Sequence, residues 1–221
     1  QRYSPLTQID RDNVSSLKAV WRTHLNGSGL DPIYSGEGQP IMYDGVLYVA
    51  TGEDDVFALS LATGEILWSF DADLDPAIDV ICCGWNNRGV ALGDGKVFVG
   101  LLDNRLIALD QKTGEPVWSV QTERWQEGFS ITTAPLYYNG MVITGYAGAE
   151  YGVRGRVKAF DASSGDLVWT FYTVPGRGEY GNETWPQDNE VWTKGGATVW
   201  NTPAVDPELN LLYFSTGNPA D

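Results

Sequence analysis

Apolar and polar positions in this chain alternate in short runs, and no stretch keeps the 3.6-residue spacing of an amphipathic helix. Four runs have the character of strands: GVLYVAT from Gly45, GKVFVGL from Gly95, GMVITGY from Gly140 and NLLYFST from Asn210. Each is rich in β-branched and aromatic residues and bounded by Gly, Asn or Asp. A second pattern occurs three times, as ALSLATGEILW (Ala58 to Trp68), ALDQKTGEPVW (Ala108 to Trp118) and AFDASSGDLVW (Ala159 to Trp169). The shared form, A-x-[DS]-x-x-[TS]-G-[ED]-x-x-W, sets a side-chain acceptor ahead of a residue that tolerates positive φ, which is turn chemistry between two strands.

The tryptophans of this pattern stand 50 and 51 residues apart, and Trp21 in LKAVW precedes Trp68 by 47. About four strands fit each period, so the expected fold is all-β, a propeller of four-stranded antiparallel blades. The recurring Trp would pack one blade on the next. At roughly fifty residues per blade the chain makes an incomplete ring of about four. The expected organisation is one partial propeller domain over residues 1–221, with repeats around 22–68, 69–118, 119–169 and 197–221 and a loop insertion at 172–196. Because an unclosed ring leaves an open edge, further blades are expected to follow Asp221.

Charge narrows the partners. Lys and Arg total 14 against 29 for Asp and Glu, a net charge of −15, which argues against a phosphate backbone and so against nucleic acid. Such a surface suits cations or a basic protein, although the ordinary solvated surface of a soluble protein is the commoner explanation. No run approaches the roughly eighteen apolar residues of a spanning helix. Gln1 opens the chain without a basic and apolar leader, as a processed secreted protein or a piece of a longer one would. The two cysteines, Cys82 and Cys83, are adjacent. Their Cα atoms lie about 3.8 Å apart across a trans peptide, below the roughly 4.4 Å of ordinary disulfides, so the residues alone leave open a strained bond or two reduced thiols. His24 is the only histidine, which excludes imidazole-based zinc chemistry.

The segments RYSPLTQIDRDNVSSLKAVW, GEGQP, CCGWNNRG, TTAP, GAEYGVRG, GGATVW and STGNPA follow one another along the chain. In order and separation they resemble the quinoprotein alcohol dehydrogenases, which hold pyrroloquinoline quinone (PQQ) on the axis of an eight-bladed propeller. The resemblance implies that Cys82 and Cys83 form the family's vicinal disulfide against one face of the quinone. Trp200 would stack on the other face, a reading helped by its position outside the repeat register. Arg88, Thr132 and Thr198 match groups that hold the three PQQ carboxylates. Glu37 matches a polar contact at the cofactor rim, and Gly148 and Ala149 match further cofactor contacts. Glu150 and Asn218 match two ligands of a metal that touches the quinone oxygens, and their oxygens suit Ca²⁺ or a lanthanide.

Three departures stand out. Ala147 occupies a position where many relatives have a hydroxyl residue that bonds a PQQ carboxylate. Gly84 and Trp85 follow the cysteines where relatives often have an acid, a change expected to reshape the substrate mouth. The family's catalytic aspartate lies in later blades, so the base is expected beyond Asp221. The resemblance further implies a periplasmic enzyme that oxidises a small alcohol to an aldehyde or ketone and passes electrons to a c-type cytochrome. In that chemistry the metal polarises a quinone carbonyl and the aspartate takes the alcohol proton. A quinoprotein sugar dehydrogenase and a non-catalytic propeller of the outer-membrane assembly type are the alternatives; the latter needs neither the Cys pair nor Glu150, Asn218 and Trp200 in register.

Overall fold

Three dipeptides set the hairpins that open the blades. Asp44-Gly45, Asp94-Gly95 and Asn139-Gly140 hold both residues at positive φ, 47° and 76°, 50° and 69°, and 49° and 75°. This is the type I′ geometry whose twist matches the flanking strands. The computed structural model describes residues 6–27 and 34–220; Arg2 to Pro5 of the family motif, and Asp221, lie outside the described residues.

The first blade consists of β2 (Ile41–Tyr43), β3 (Val46–Ala50), β4 (Val56–Ser60) and β5 (Ile66–Phe70), after a short β1 (Tyr34–Gly36). The second follows β6 (Trp85–Asn87) and consists of β7 (Ala91–Gly93), β8 (Lys96–Gly100), β9 (Arg105–Asp110) and β10 (Pro116–Gln121). The third contains β11 (Leu136–Tyr138), β12 (Met141–Gly145), β13 (Arg156–Asp161) and β14 (Leu167–Tyr172). Each is an antiparallel sheet whose strand order follows the chain. A fourth sheet shows β15 (Ala204–Asp206) paired with β16 (Leu211–Tyr213). Among the described residues the helical turns are all 3₁₀.

The core lies between blades, because the second and third strands of a blade are buried on both faces. In blade two, Val97, Val99, Ile107 and Leu109 point to blade one and meet Tyr48, Val56 and Ala58. The alternate residues Phe98, Leu106 and Ala108 point the other way and meet Val142 and Phe160 of blade three. This is the period of two that a strand imposes, used on both sides.

The repeated tryptophans tie the outer edges. Trp21, Trp68 and Trp118 donate their indole N–H to the carbonyls of Leu61, Gln111 and Ala162, each in the turn between the third and fourth strands of the next blade. The glycine of each turn, Gly64, Gly114 and Gly165, lies under the ring at positive φ. The Gly in the repeat thus serves the turn and also leaves room for the indole.

Candidate active site

Up-and-down strands sort the loops into two ends. Turns between strands one and two, and three and four, lie at one end of a blade; turns between two and three, and the links from one blade to the next, lie at the other. The tryptophan-bearing turns occupy the first end. Every residue that the family resemblance singled out falls in the second set: Glu37, Cys82, Cys83, Arg88, Thr132, Thr198 and Trp200 in links before a blade, Gly148, Ala149, Glu150 and Asn218 in loops after a second strand.

Nine of these eleven line one cavity of about 250 Å³: Glu37, Cys82, Cys83, Arg88, Thr132, Gly148, Glu150, Trp200 and Asn218. Ala149 and Thr198 do not line it and are buried. Ala149 starts a 3₁₀ turn, and the Thr198 carbonyl accepts from the Gly217 N–H at 2.7 Å. Larger spaces of about 600, 520 and 420 Å³ exist, one at the tryptophan end by Tyr43 and Trp68, one along the inner strands by Ile41 and Leu136, and one by Trp169 and Phe214. None of these gathers the cysteines, Glu150 and Asn218, so chemistry rather than volume marks the site.

Strand β6 organises one wall. It pairs in parallel with β1, Trp85 opposite Tyr34 and Asn87 opposite Gly36, a link the sequence pattern does not announce. Trp85 and Asn87 are buried, and Asn87 is gripped from both neighbouring blades: its amide donates to Asp54 Oδ1 at 2.8 Å and to the Gly100 carbonyl at 3.1 Å. The alternate residues Asn86 and Arg88 line the cavity. Trp85 corrects an expectation, since its indole turns into the core at 4% exposure and does not shape the mouth.

Arg88 is held on three sides. It donates through Nη1 to the Thr132 carbonyl at 3.0 Å, pairs through Nη2 with Glu37 at 2.7 Å, and its guanidinium stands 5.0 Å from the Trp200 ring centre. Trp200 is 37% exposed. A Cβ on Gly217 would stand 2.7 Å from its indole nitrogen, so the glycine before Asn218 lets that loop close on the ring. Gly148, at φ 123°, has its back against the Gly128 carbonyl oxygen, where a Cβ cannot fit.

Cys82 and Cys83 are exposed and stand as two thiols in this structure. The Cys83 thiol beside Cys82, partial burial and the charge of Glu150 together push the Cys82 thiol up to about 11. Glu150 and Asn218 are the oxygen donors of the cavity that match metal ligands. Among the described residues no group of three or more His, Cys, Asp or Glu could hold a metal alone, so a cation here needs donors from beyond these side chains.

Sequence reasoning did not single out Val80, Ile81, Asn86 and Tyr151, which also line the cavity. Tyr151 follows Glu150 in GAEYGVRG, and its hydroxyl donates to the Asp79 carbonyl at 3.3 Å. Adjacency to a predicted ligand was the available signal.

Comparison with known proteins fits this geometry. The family described as PQQ glucose/ethanol/alcohol dehydrogenase, β-propeller domain, matches residues 1–221. The quinohemoprotein alcohol dehydrogenase ADH IIB of Pseudomonas putida is 47% identical over 99% of the chain and 32% of its own length. The solved structure of ADHIIG from Pseudomonas putida HK5 superposes with a TM-score of 0.89 at 42% identity, covering 100% of this chain and 33% of that one. A europium-containing methanol dehydrogenase gives a TM-score of 0.89 at 35% identity, over 99% of this chain and 41% of that one. The chain spans about a third of the length of the first two. It belongs to the PQQ-dependent glucose/ethanol/alcohol dehydrogenase β-propeller family.

Proposed function

We propose that this chain supplies the quinone- and metal-holding wall of a PQQ-dependent alcohol dehydrogenase. The observation that carries the reading is the single cavity in which Cys82, Cys83, Arg88, Trp200, Glu150 and Asn218 meet from five separate loops. The donor set suits the cofactor. Arg88 is a fixed fork for a ligand carboxylate, Trp200 offers a flat polarizable face, and Glu150 with Asn218 offers hard oxygen donors to Ca²⁺ or a lanthanide. When bound, PQQ supplies the two-electron acceptor chemistry that alcohol oxidation needs.

The chain's own residues bind and orient. The Thr132 carbonyl and Glu37 fix the Arg88 guanidinium before a ligand arrives, which lowers the ordering cost of binding. Cys82 and Cys83, joined as the family's vicinal disulfide, would present a rigid surface to the cofactor. No Asp or Glu here matches the family's general base, so proton removal from a small alcohol is assigned to an aspartate in the remaining blades. The protein is read as periplasmic, with a c-type cytochrome as electron acceptor.

Equilibrium dialysis of the whole protein with PQQ, with and without Ca²⁺ or europium, tests this. Metal-dependent binding that weakens in Glu150→Gln and Asn218→Ala is expected; binding indifferent to metal and to both substitutions contradicts the assignment. Because the family description includes glucose dehydrogenases, a dye-linked assay on ethanol and on glucose decides the substrate class.

A further inference from the structure

We propose that Trp85 is a positioning residue for the surface that Cys82 and Cys83 present to the cofactor. The inference rests on the quinone reading above. Both cysteines are exposed, so their own burial does not fix them, and the 78–85 loop that carries them must be held from its ends. Ile78 and Trp85 are those ends, each 4% exposed and packed in the same core cluster. The Trp85 indole N–H donates to the Ile78 carbonyl at 3.1 Å and closes the loop on itself.

Two further contacts make the closure directional. Val80 and Ile81, just before the cysteines, pack on the cluster that contains Trp85. Gly84 turns the chain at φ 91° directly after them, and its carbonyl accepts from the Asn86 amide at 3.1 Å. The cysteine turn therefore hangs between two buried anchors. The Trp85 bond is the only indole bond among the described residues that closes a loop of the candidate site; Trp21, Trp68 and Trp118 bond at the opposite end of the blades.

The test compares Trp85→Phe with Trp118→Phe in the whole protein. Trp118 makes an indole bond of the same length, 3.1 Å to the Ala162 carbonyl, far from the cysteines. Losing a buried partner at Ile78 is expected to weaken PQQ binding about tenfold in W85F. After reduction, iodoacetamide should label the Cys82–Cys83 pair several-fold faster than in the wild type. W118F should lower the thermal midpoint comparably and leave both readouts at wild-type values. An unchanged PQQ Kd and unchanged labelling in W85F overturn the proposal, as does an equal change in W118F. If W85F does not accumulate, Ile78→Ala, which loosens the other buried end of the loop and lines no part of the cavity, must move both readouts the same way. A wild-type protein that fails to bind PQQ overturns the quinone reading, and the labelling contrast then decides the role of Trp85 by itself.

Discussion

Arg88 shows how neighbours can fix a side chain that would otherwise move as a surface charge. Its partners use two of its nitrogens and aim the guanidinium across the Trp200 ring. Lysine keeps the charge and loses the fork, so Arg88→Lys should weaken PQQ binding about tenfold, read by equilibrium dialysis. Cys82 yields a pH prediction. Beside Cys83, partly buried and near Glu150, its folded value of about 11 lies above the ordinary 9.0. The protonated thiol is therefore favoured in the folded, reduced protein, with a contribution present below pH 9.0 and lost as pH rises through about 11. Labelling of Cys82 in the reduced protein, resolved from Cys83 by fragment-ion mass spectrometry of the singly labelled peptide, should accelerate toward pH 11; a Cys82 rise centred at the ordinary thiol value would contradict the described surroundings. Individual site residues were legible only through family motifs, since nothing in the local pattern separates Thr132 from a strand threonine. Trp85 was misread because its neighbours do not state which way a three-residue strand faces, and the parallel pairing with β1 decides that.

At the scale of elements, the repeat was readable because one physical requirement recurs: a turn that accepts an indole from the preceding blade. Gly114 is at φ 76°, and a Cβ there would stand 2.6 Å from the Trp68 ring, whereas Gly95, at φ 69°, has open space. Gly114→Ala should therefore cost about 3 kcal/mol and Gly95→Ala about 1 kcal/mol in urea unfolding of the whole protein; equal costs would remove the turn-and-indole explanation. Between blades one and two, Asp54 is fully buried and accepts from the Asn87 amide and the Leu102 N–H. Burial raises its carboxyl well above the ordinary 3.8. The folded state then binds the proton more tightly, so stability falls as pH climbs above 3.8 through that raised value. Unfolding midpoints followed across this range should show the slope in wild type and a flatter profile in Asp54→Asn.

For the whole molecule, the arrangement of blades places every candidate group at one end without any local sequence signal for convergence. Residues as far apart as Glu37 and Asn218 share a cavity because blade links and loops after second strands emerge on the same side. The chain spans about a third of its quinohemoprotein relatives, and the proposed base lies outside it. Residues 1–221 alone should therefore show no dye-linked alcohol oxidation when supplied with PQQ and Ca²⁺, because a placed base contributes about 10²–10⁴-fold; turnover at the rate of the whole protein would show that the base is in this chain. A crystal structure of the whole protein grown with PQQ and europium, with the metal located by anomalous scattering, tests whether Glu150 and Asn218 share one cation. The ion is expected about 2.3–2.6 Å from oxygens of both Glu150 and Asn218, with the quinone plane against Trp200. An ion elsewhere, or oxygens of Glu150 and Asn218 more than about 6 Å apart, too far to share one cation, would contradict it.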